Sequence, residues 1–292
     1  MSHKPTNMLV DLSNVVHVTR HGRTMKPIKP NDPYFIPLLF KESILMMDRL
    51  AKRLPVDGMM IAVDSNNVWR KELLPSYKGN RTKELRDDAF EETVKTIRLL
   101  TQFFEQCTGI PVIQVPRAEA DDIIAVATQE LTAKSVIVSS DRDFVQLVNP
   151  NTVVYSPPQK TFRETDDPKY DLFEKCIRGD SSDNIPSAYP KVRKKKLQAA
   201  WTDPASMMNL METVTQDGRV VKELFALNKQ LMDLTAQPEN LRQRIVAELK
   251  KVDVAQPFSR TKLLTFCGQH GLASVAQWLE QRERLFALGF KQ

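Results

Sequence analysis

Short apolar segments rich in β-branched residues alternate with longer segments of helical periodicity in the first half of the chain. The apolar segments predict buried strands at 7–12, 58–63, 111–115 and 135–138. The intervening segments predict helices at 40–54, 90–104 and 121–131. Because strands and helices alternate, we expect an α/β fold with a mainly parallel central sheet flanked by helices.

The strand pattern fades after about Asp183, and helical periodicity dominates the second half of the chain. Five helices are predicted there, at 193–200, 206–214, 220–234, 241–250 and 261–266. Prolines separate several of these segments, as expected near helix boundaries. We therefore predict an α/β domain over residues 1–183 and a helical domain over residues 184–292 that packs against the sheet.

Acidic residues cluster where strands are predicted to end and near the junction of the two halves. The nine residues are Asp11, Asp64, Glu119, Asp121, Asp122, Asp141, Asp143, Asp180 and Asp183. In parallel sheets, ligands bind outside the carboxyl ends of the strands, near a switch in strand order. Carboxylates gathered there repel each other unless they take up protons or share cations. Oxygen ligands favour Mg²⁺ or Mn²⁺, so the pattern predicts a multi-metal site at this edge.

Helix capping and turn formation are the alternative explanations for two of these motifs. Glu119-Ala120-Asp121-Asp122 stands at the start of a predicted helix, where acids favour the helix dipole. Ser140-Asp141-Arg142-Asp143 stands where a turn follows a strand. Independent caps have no reason to meet at one sheet edge with Asp11 and Asp64, so the combination favours the metal site.

The composition narrows the class of protein. A hydrophobic fraction of 41% in 292 residues suffices for a buried core, and no apolar run approaches the ~20 residues of a membrane span. Three widely spaced cysteines indicate neither disulfides nor a zinc site, and only four histidines are present. We therefore expect a cytoplasmic protein with no membrane association, and a monomer by default.

The net charge points to a class of ligand. Lys and Arg outnumber Asp and Glu by 42 to 36, although nine acids are expected at one site. The remaining surface is therefore more basic than the total of +6 suggests. A basic surface around an acidic pocket is typical of an enzyme that acts on nucleic acid, with an ordinary solvated surface as the alternative.

Two basic segments are candidates for contacts with nucleic acid. The first, at 69–81, contains Tyr77 to stack on an unpaired base, and Lys78 and Arg81 to contact the phosphate backbone. A lysine near metal ions can also neutralise charge on the scissile phosphate. The second segment comprises Lys191, Arg193, Lys194, Lys195 and Lys196. The alternatives are a solvated loop for the first segment and an exposed helix start for the second.

The order of these motifs resembles that of the flap endonuclease superfamily of 5′-nucleases, and most closely its phage ribonuclease H branch. The resemblance covers roughly residues 7–190. It rests on Val10-Asp11, Val63-Asp64, Tyr77-Lys78-Gly79-Asn80-Arg81, Glu119-Ala120-Asp121-Asp122, Ser140-Asp141-Arg142-Asp143 and Gly179-Asp180-Ser181-Ser182-Asp183-Asn184-Ile185-Pro186.

The resemblance implies a role for each candidate residue. A first metal ion is expected among Asp11, Asp64, Glu119, Asp121 and Asp141, and a second in the region of Asp122, Asp143, Asp180 and Asp183. Lys78 and Arg81 are expected at the base of a helical arch over about 70–105, with Tyr77 near the scissile nucleotide. Lys78, Arg81, Asp121 and Asp141 are the expected catalytic residues.

The resemblance also implies an activity: 5′→3′ hydrolysis of RNA primers, 5′ flaps and duplex ends during DNA replication. Two Mg²⁺ ions are the expected cofactors, with Mn²⁺ as a substitute. Expected partners are branched or 5′-ended DNA, RNA–DNA hybrids, and replication proteins such as a sliding clamp or a single-strand-binding protein. A phage-encoded protein would work in the host cytoplasm.

One segment departs from the family pattern. Relatives follow Asp-Asn-Ile-Pro with a glycine-rich hairpin that holds duplex phosphate, often with a potassium ion, whereas this chain has 187–192 without glycine. The close backbone approach that glycine permits is therefore not expected here. We hypothesise that Lys191 and the 193–196 run hold the duplex by direct charge instead.

Two other functions are compatible with part of the pattern. A PIN-class ribonuclease shares the first acids but needs neither Asp180 and Asp183 nor the helical half. A non-catalytic module that binds branched DNA keeps the basic segments but has no need of the acids. The apolar tail from Leu279 to Phe290 resembles a clamp-binding peptide, although packing of a last helix is favoured.

Overall fold

The computed structural model describes residues 4–81, 88–253 and 257–291. Its six strands are β1 (Thr6–Asp11), β2 (Gly58–Ala62), β3 (Val112–Ile113), β4 (Lys134–Val138), β5 (Thr152–Ser156) and β6 (Thr161–Phe162). They form one sheet of order β3-β2-β1-β4-β5-β6, in which only the β5–β6 pair is antiparallel. The predicted mainly parallel α/β sheet is confirmed, and all four predicted strands are present.

Strands β5 and β6 were not predicted. The ends of β5 are polar and β6 consists of two exposed residues, so neither forms an apolar run that a sequence pattern reveals.

Thirteen helices surround this sheet in the described parts of the chain. They are α1 (Leu12–Arg20), α2 (Phe35–Arg53), α3 (Arg70–Leu73), α4 (Phe90–Cys107), α5 (Ala120–Glu130), α6 (Pro168–Arg178), α7 (Lys194–Thr202), α8 (Pro204–Met211), α9 (Val221–Met232), α10 (Glu239–Lys250), α11 (Arg260–Gln269), α12 (Ala273–Glu280) and α13 (Glu283–Phe286). Short 3₁₀ turns cover Asp143–Leu147 and Lys251–Asp253. The helical second half is thus confirmed. No helix in the described ranges is long and apolar enough to cross a membrane.

Side chains of the central strands alternate between two hydrophobic layers, as the pleat of a β-sheet requires. Met8 and Val10 of β1 face a layer built with α1, α2, α4, α11 and α12, whereas Leu9 faces a layer built with α5 and α10. Strand β2 alternates in the same way, with Ile61 in the first layer and Met60 in the second. The sheet is therefore covered by helices on both faces.

The C-terminal segment packs into the same core as the N-terminal strands. Phe286 is fully buried, and the carbonyl oxygen of Gly289 accepts a hydrogen bond from the amide of Met59 at 3.0 Å. A side chain at Gly58 would meet that carbonyl at 2.7 Å, so only glycine fits this position. The packing interpretation of the tail is confirmed, while the division at residue 183 stays a prediction.

The order of the strands switches sides at β1: β2 and β3 lie on one side of it, and β4, β5 and β6 lie on the other. The crevice of such a switch point opens at the carboxyl ends of the two diverging strands. Asp11 ends β1, and Ser139 to Asp141 directly follow β4. The predicted arch over 70–105 includes residues 82–87, which lie outside the described residues. Its described parts contain α3 and α4.

Candidate metal centre

Asp11 lies at the centre of the sheet edge. It ends β1 and caps α1, because its Oδ1 accepts a hydrogen bond from the amide of Asn14 at 3.0 Å. Its Oδ2 accepts a second bond from the hydroxyl of Ser139 at 3.2 Å. Desolvation, together with the nearby charges of Asp64 and Asp141, raises the pKa of Asp11 to about 7. Three predicted ligands from three strand ends are thus close enough to repel each other.

Hydrogen bonds fix Asp64 and Asp141 to neighbouring elements. Oδ1 of Asp64 accepts from the amide of Ala120, the first residue of α5, at 2.9 Å. The amide of Asp141 donates to the hydroxyl of Ser139 at 3.1 Å. Oδ1 of Asp141 accepts a hydrogen bond from the amide of Asp143 at 2.8 Å. The Ser139 hydroxyl therefore links Asp11 to Asp141, a role that the sequence pattern did not indicate.

Three carboxylates gather at the start of α5. One oxygen each of Glu119, Asp121 and Asp122 lies within 4.8 Å of the others, close enough to hold one metal ion. Glu119 and Asp122 also form a capping box, in which Oδ2 of Asp122 accepts from the amide of Glu119 at 3.0 Å. The capping interpretation and the clustering are therefore both correct for this motif.

Arg70 is the counterion of this group, and it was not among the predicted site residues. Its guanidinium contacts Glu119 at 2.7 Å and both oxygens of Asp122 at 2.8 and 3.0 Å. The indole of Trp69 also donates to Asp122, at 3.1 Å. Both oxygens of Asp122 are thus engaged. The structure groups Asp122 with Glu119 and Asp121, whereas we had expected it in the region of the second metal.

Asp121 has the property expected of a metal ligand. Its Oδ1 is buried and has no hydrogen-bond partner among the described residues. The nearest ion pair is with Arg70, at 3.7 Å. Desolvation holds the pKa of this carboxyl well above its usual range. A buried, unpartnered carboxylate oxygen beside other acids fits a hard divalent cation.

Lys175 bridges the two carboxylates expected at a second metal, and it was also missed from the sequence. Its ammonium contacts Asp143 and lies 2.8 Å from Asp180. Desolvation and Asp141 raise the pKa of Asp143 to about 6, against the opposing effect of Lys175. Burial alone would raise the pKa of Asp180, but Lys175 and Ser182 lower it to about 2. A lysine far along the chain from Asp143 gives no spacing signal that could have revealed this contact.

The predicted phosphate contacts Lys78 and Arg81 lie at the same edge. The ammonium of Lys78 pairs with Glu119, and Arg81 pairs with Asp183 at 2.7 Å. Burial alone would raise the pKa of Glu119, but Lys78 and Arg70 outweigh it and hold that pKa below its usual value. Arg81 keeps 59% of its side chain exposed, so it remains accessible to a phosphate.

Tyr77 does not present its ring to a base in this conformation. Only 2% of the residue is exposed, and its hydroxyl donates to Glu119 at 3.1 Å and lies 3.2 Å from Asp183. The stacking role predicted for Tyr77 requires an open ring face, which this conformation lacks. Tyr77 instead connects the carboxylate group of α5 to Asp183.

Direct contacts join the loop that carries Lys78 to the loop that carries Asp183. The amide of Lys78 donates to the carbonyl of Asp183 at 2.8 Å, and Asn80 donates to Ser181 at 2.7 Å. The side chain of Asn184 donates to Ser76 at 2.8 Å. The two motifs that were predicted separately from the sequence therefore form one structural unit.

The second basic segment is exposed and lies at the start of α7. All five of its cations are exposed, namely Lys191, Arg193, Lys194, Lys195 and Lys196. Lys196 packs over the ring of Tyr189 at 4.5 Å and donates to its hydroxyl at 3.1 Å. This arrangement suits both interpretations of the segment, so its contact with duplex stays a prediction.

A cleft of about 990 Å³ opens beside Asp143 and Asp180. Asp141, Asp143 and Asp180 line it, together with residues of β6 and α6. These three predicted ligands therefore face an open groove and are reachable by a large substrate.

A mainly parallel sheet with carboxylates gathered at its switch point is the arrangement of a resolvase-like α/β domain. Residues 7–175 match the family model described as "5′-3′ exonuclease, N-terminal resolvase-like domain". The chain belongs to this 5′-3′ exonuclease family.

Relatives of known name agree with this assignment. The 5′-3′ exonuclease of Buchnera aphidicola subsp. Baizongia pistaciae is 32% identical over 162 residues, which cover 51% of each protein. The DNA polymerase I of Lactococcus lactis subsp. cremoris is 28% identical over 74% of this chain and 28% of the polymerase. The matched region thus spans about half or less of these relatives.

Solved structures share the fold. The bacteriophage T5 flap endonuclease, in a complex with DNA and metal ions, superimposes with a TM-score of 0.66 over 84% of this chain and 98% of that one. The T5 5′-exonuclease with bound zinc ions gives a TM-score of 0.57 over 94% and 98%. Sequence identity is 18% in both cases, so these structures support the architecture alone.

Proposed function

We propose that this protein is a metal-dependent 5′→3′ nuclease that hydrolyses phosphodiester bonds in 5′ flaps, duplex ends and RNA primers. The observation that carries the proposal is the buried oxygen of Asp121, which has no hydrogen-bond partner among the described residues and lies beside Glu119 and Asp122. Membership in the 5′-3′ exonuclease family supports the same activity. The proposed cofactors are two Mg²⁺ ions, with Mn²⁺ as a substitute.

The acids divide into two proposed metal-binding groups. Asp11, Asp64, Glu119, Asp121 and Asp141 would hold the first ion, and Asp143 and Asp180 the second, with Asp183 nearby. Bound divalent ions supply an activated water and charge stabilisation for the departing oxygen. Asp122 is saturated by Arg70, and its contribution to the centre would be to hold that arginine.

Basic side chains orient the substrate in this proposal. Lys78, already beside Glu119, is placed to offset negative charge on the scissile phosphate, and the exposed guanidinium of Arg81 is placed to bind a neighbouring phosphate. Lys191 and residues 193–196 would hold duplex phosphates without reading sequence. Because both segments carry cations, the affinity for nucleic acid is expected to fall as the salt concentration rises.

Substrate and context follow from the same assignment. Removal of RNA primers during replication, ribonuclease H activity on RNA–DNA hybrids and a cytoplasmic site of action are part of the proposal. A sliding clamp and a single-strand-binding protein are proposed partners, and a monomer is the proposed state. The close contact between the Lys78 and Asp183 loops favours this function over a PIN-class ribonuclease, which does not need Asp183.

The test uses three 5′-labelled substrates: a DNA flap, an RNA-primed DNA duplex and a single strand of the same sequence. We expect Mg²⁺-dependent release of labelled fragments from the flap and the primed duplex, and none in EDTA. Cleavage of all three substrates at equal rates would favour the PIN-class alternative. Tight binding of the flap without cleavage in Mg²⁺ or Mn²⁺ would favour the non-catalytic module.

A further inference from the structure

One buried arginine connects the carboxylates of α5 to helix α9. Arg70 is 1% exposed, and its Nε donates to the carbonyl of Leu231 at 2.7 Å. Its two terminal nitrogens donate to Glu119 and Asp122. Every nitrogen of the guanidinium therefore has a partner, and those partners come from the α/β half and from the helical half of the chain.

The contacts of Arg70 determine which acid is left for a cation. Asp122 is fully buried, and a buried carboxylate without a paired charge is strongly destabilising. Arg70 pairs with both of its oxygens and with one oxygen of Glu119, but it lies 3.7 Å from Asp121. Asp121 consequently keeps an oxygen that has no hydrogen-bond partner among the described residues and only this longer ion pair with Arg70. A planar guanidinium holds two carboxylates with donors in a fixed fork, whereas a lysine ammonium is a compact charge without that bidentate geometry.

Helix α9 supports other parts of the centre as well. Gln146, which follows Asp143 in the same 3₁₀ turn, donates to the carbonyl of Met232 at 3.0 Å. The buried side chain of Asn228 donates to the carbonyls of Cys176 and Pro186, both at 2.8 Å. These two carbonyls flank the segment that carries Asp180 and Asp183. The last turns of α9 thus contact chain segments that lead to both groups of acids.

We propose that Arg70 is a positioning residue of the metal centre, which orients Glu119 without forming a hydrogen bond to Asp121, and which links the start of α5 to α9. Arg70 touches neither substrate nor metal in this account. The inference deepens the proposed function and depends on the carboxylates binding a divalent cation. It makes the helical half a structural part of the metal site, in addition to its proposed contact with duplex.

The test measures Mn²⁺ binding by the DNA-free protein with electron paramagnetic resonance, alongside thermal denaturation. For Arg70→Lys, which keeps the charge, we expect Mn²⁺ affinity to fall about tenfold or more, as for other residues that orient metal ligands. In cleavage assays kcat should fall while KM for flap DNA stays near that of the wild type. Asp48→Asn is the matched control, because Asp48 is a buried acid of α2 paired with Lys52 and Arg282, away from the centre. It should lower the melting temperature without changing Mn²⁺ affinity.

A second pair of variants keeps the test decisive if a lone substitution at Arg70 unfolds the protein. Asp122→Asn alone leaves the bond from Arg70 to Glu119, whereas Arg70→Gln combined with Asp122→Asn removes both charges together. We expect the double variant to bind Mn²⁺ more weakly than Asp122→Asn. Equal affinity of those two variants, or wild-type affinity in a folded Arg70→Lys protein, would overturn the positioning role. Failure of the wild type to cleave flaps would instead contradict the proposed function, and the Mn²⁺ comparison would still be readable.

Discussion

The main counterions of the two acidic groups of this site, Arg70 and Lys175, differ in burial. Arg70 beside the α5 carboxylates is 1% exposed and is held by Glu119, Asp122 and the carbonyl of Leu231. Lys175 lies between Asp143 and Asp180, and its side chain is 27% exposed. A divalent ion at the first group must bind beside a fixed arginine. An ion at the second group would compete with the lysine for the same two carboxylates.

This difference predicts different sensitivity of the two groups. The first group already has its ligands oriented, so loss of one ligand removes a preorganised part of the centre. The second group exchanges one cation for another, so loss of a ligand should change metal occupancy more than geometry. The variants that follow test this contrast in order of expected effect.

Asp121→Asn should give the largest loss. Among the described residues, it removes the negative charge of the one buried carboxylate oxygen without a hydrogen-bond partner. We expect cleavage of a 5′ flap to fall by about 10³-fold or more, with DNA binding in EDTA unchanged. Single-turnover rates at saturating protein measure this effect. A loss below tenfold would show that Asp121 is not a principal ligand.

Asp180→Asn should give a smaller loss that extra metal can partly restore. Asp180 shares its counterion Lys175 with Asp143, which remains in the variant. We expect activity to fall roughly 10–100-fold at limiting Mg²⁺ and to recover as Mg²⁺ rises. A Mg²⁺ titration of flap cleavage distinguishes the two groups. If Asp180→Asn and Asp121→Asn lost the same amount of cleavage activity, and extra Mg²⁺ restored neither, the proposed difference between the two acidic groups would be wrong.

Lys175→Met should strengthen binding of a cation at the second group. The variant removes the ammonium that a metal has to displace, which we expect to be worth about 1 kcal/mol for a partly exposed pair, or roughly fivefold in affinity. Mn²⁺ titration of the DNA-free protein measures this change. Weaker Mn²⁺ binding would show that Lys175 orients the acids as Arg70 does.

Asp11 of the first group and Asp180 of the second should also respond oppositely to pH in the metal-free protein. The pKa of Asp11 is raised to about 7, so between about pH 4 and pH 7 the folded state holds a proton that the unfolded state has lost. Rising pH then favours unfolding. Asp11→Asn lacks this penalty, and its free energy of unfolding relative to the wild type should increase from pH 4 to pH 7.

Asp180 provides the opposite case, because its pKa is lowered to about 2. Its ionised form stabilises the folded state above about pH 4, and this contribution is lost as pH falls towards 2. Asp180→Asn should therefore be less stable than the wild type at pH 7, with the gap closing in acid. Urea denaturation at several pH values in EDTA measures both variants. Parallel pH profiles for the two variants would contradict the contrast.

The sequence predicted the sheet and the acids but not the cations that organise them. Alternation of apolar strands and amphipathic helices identified four strands, and the acids at their ends indicated one edge, because strand direction alone brings those ends together. Arg70 and Lys175 had no comparable signal. Arg70 contacts Glu119 and Asp122, 49 and 52 positions away along the chain, and Lys175 contacts Asp143, 32 positions away, through packing that only the folded structure defines.

Tyr77 shows the limit of interpreting a motif by residue type. An aromatic ring within a basic loop is typical of base stacking, but the ring is buried and its hydroxyl joins Glu119 to Asp183. The ring packs against Cys176, Ile185, Leu231 and Met232, which lie far along the chain, so no periodicity reveals this contact. The acids were therefore predictable as a group, whereas their hydrogen-bond partners were not.

The central claim is that the carboxylates at the switch point perform metal-dependent hydrolysis of phosphodiester bonds. Its most direct test is cleavage of a 5′-labelled flap by the wild type and by Asp141→Asn, with Mg²⁺ and with EDTA. We predict cleavage by the wild type in Mg²⁺ alone, and a loss of about 10³-fold or more in Asp141→Asn with flap binding retained. Cleavage in EDTA, or full activity of Asp141→Asn, would contradict the claim.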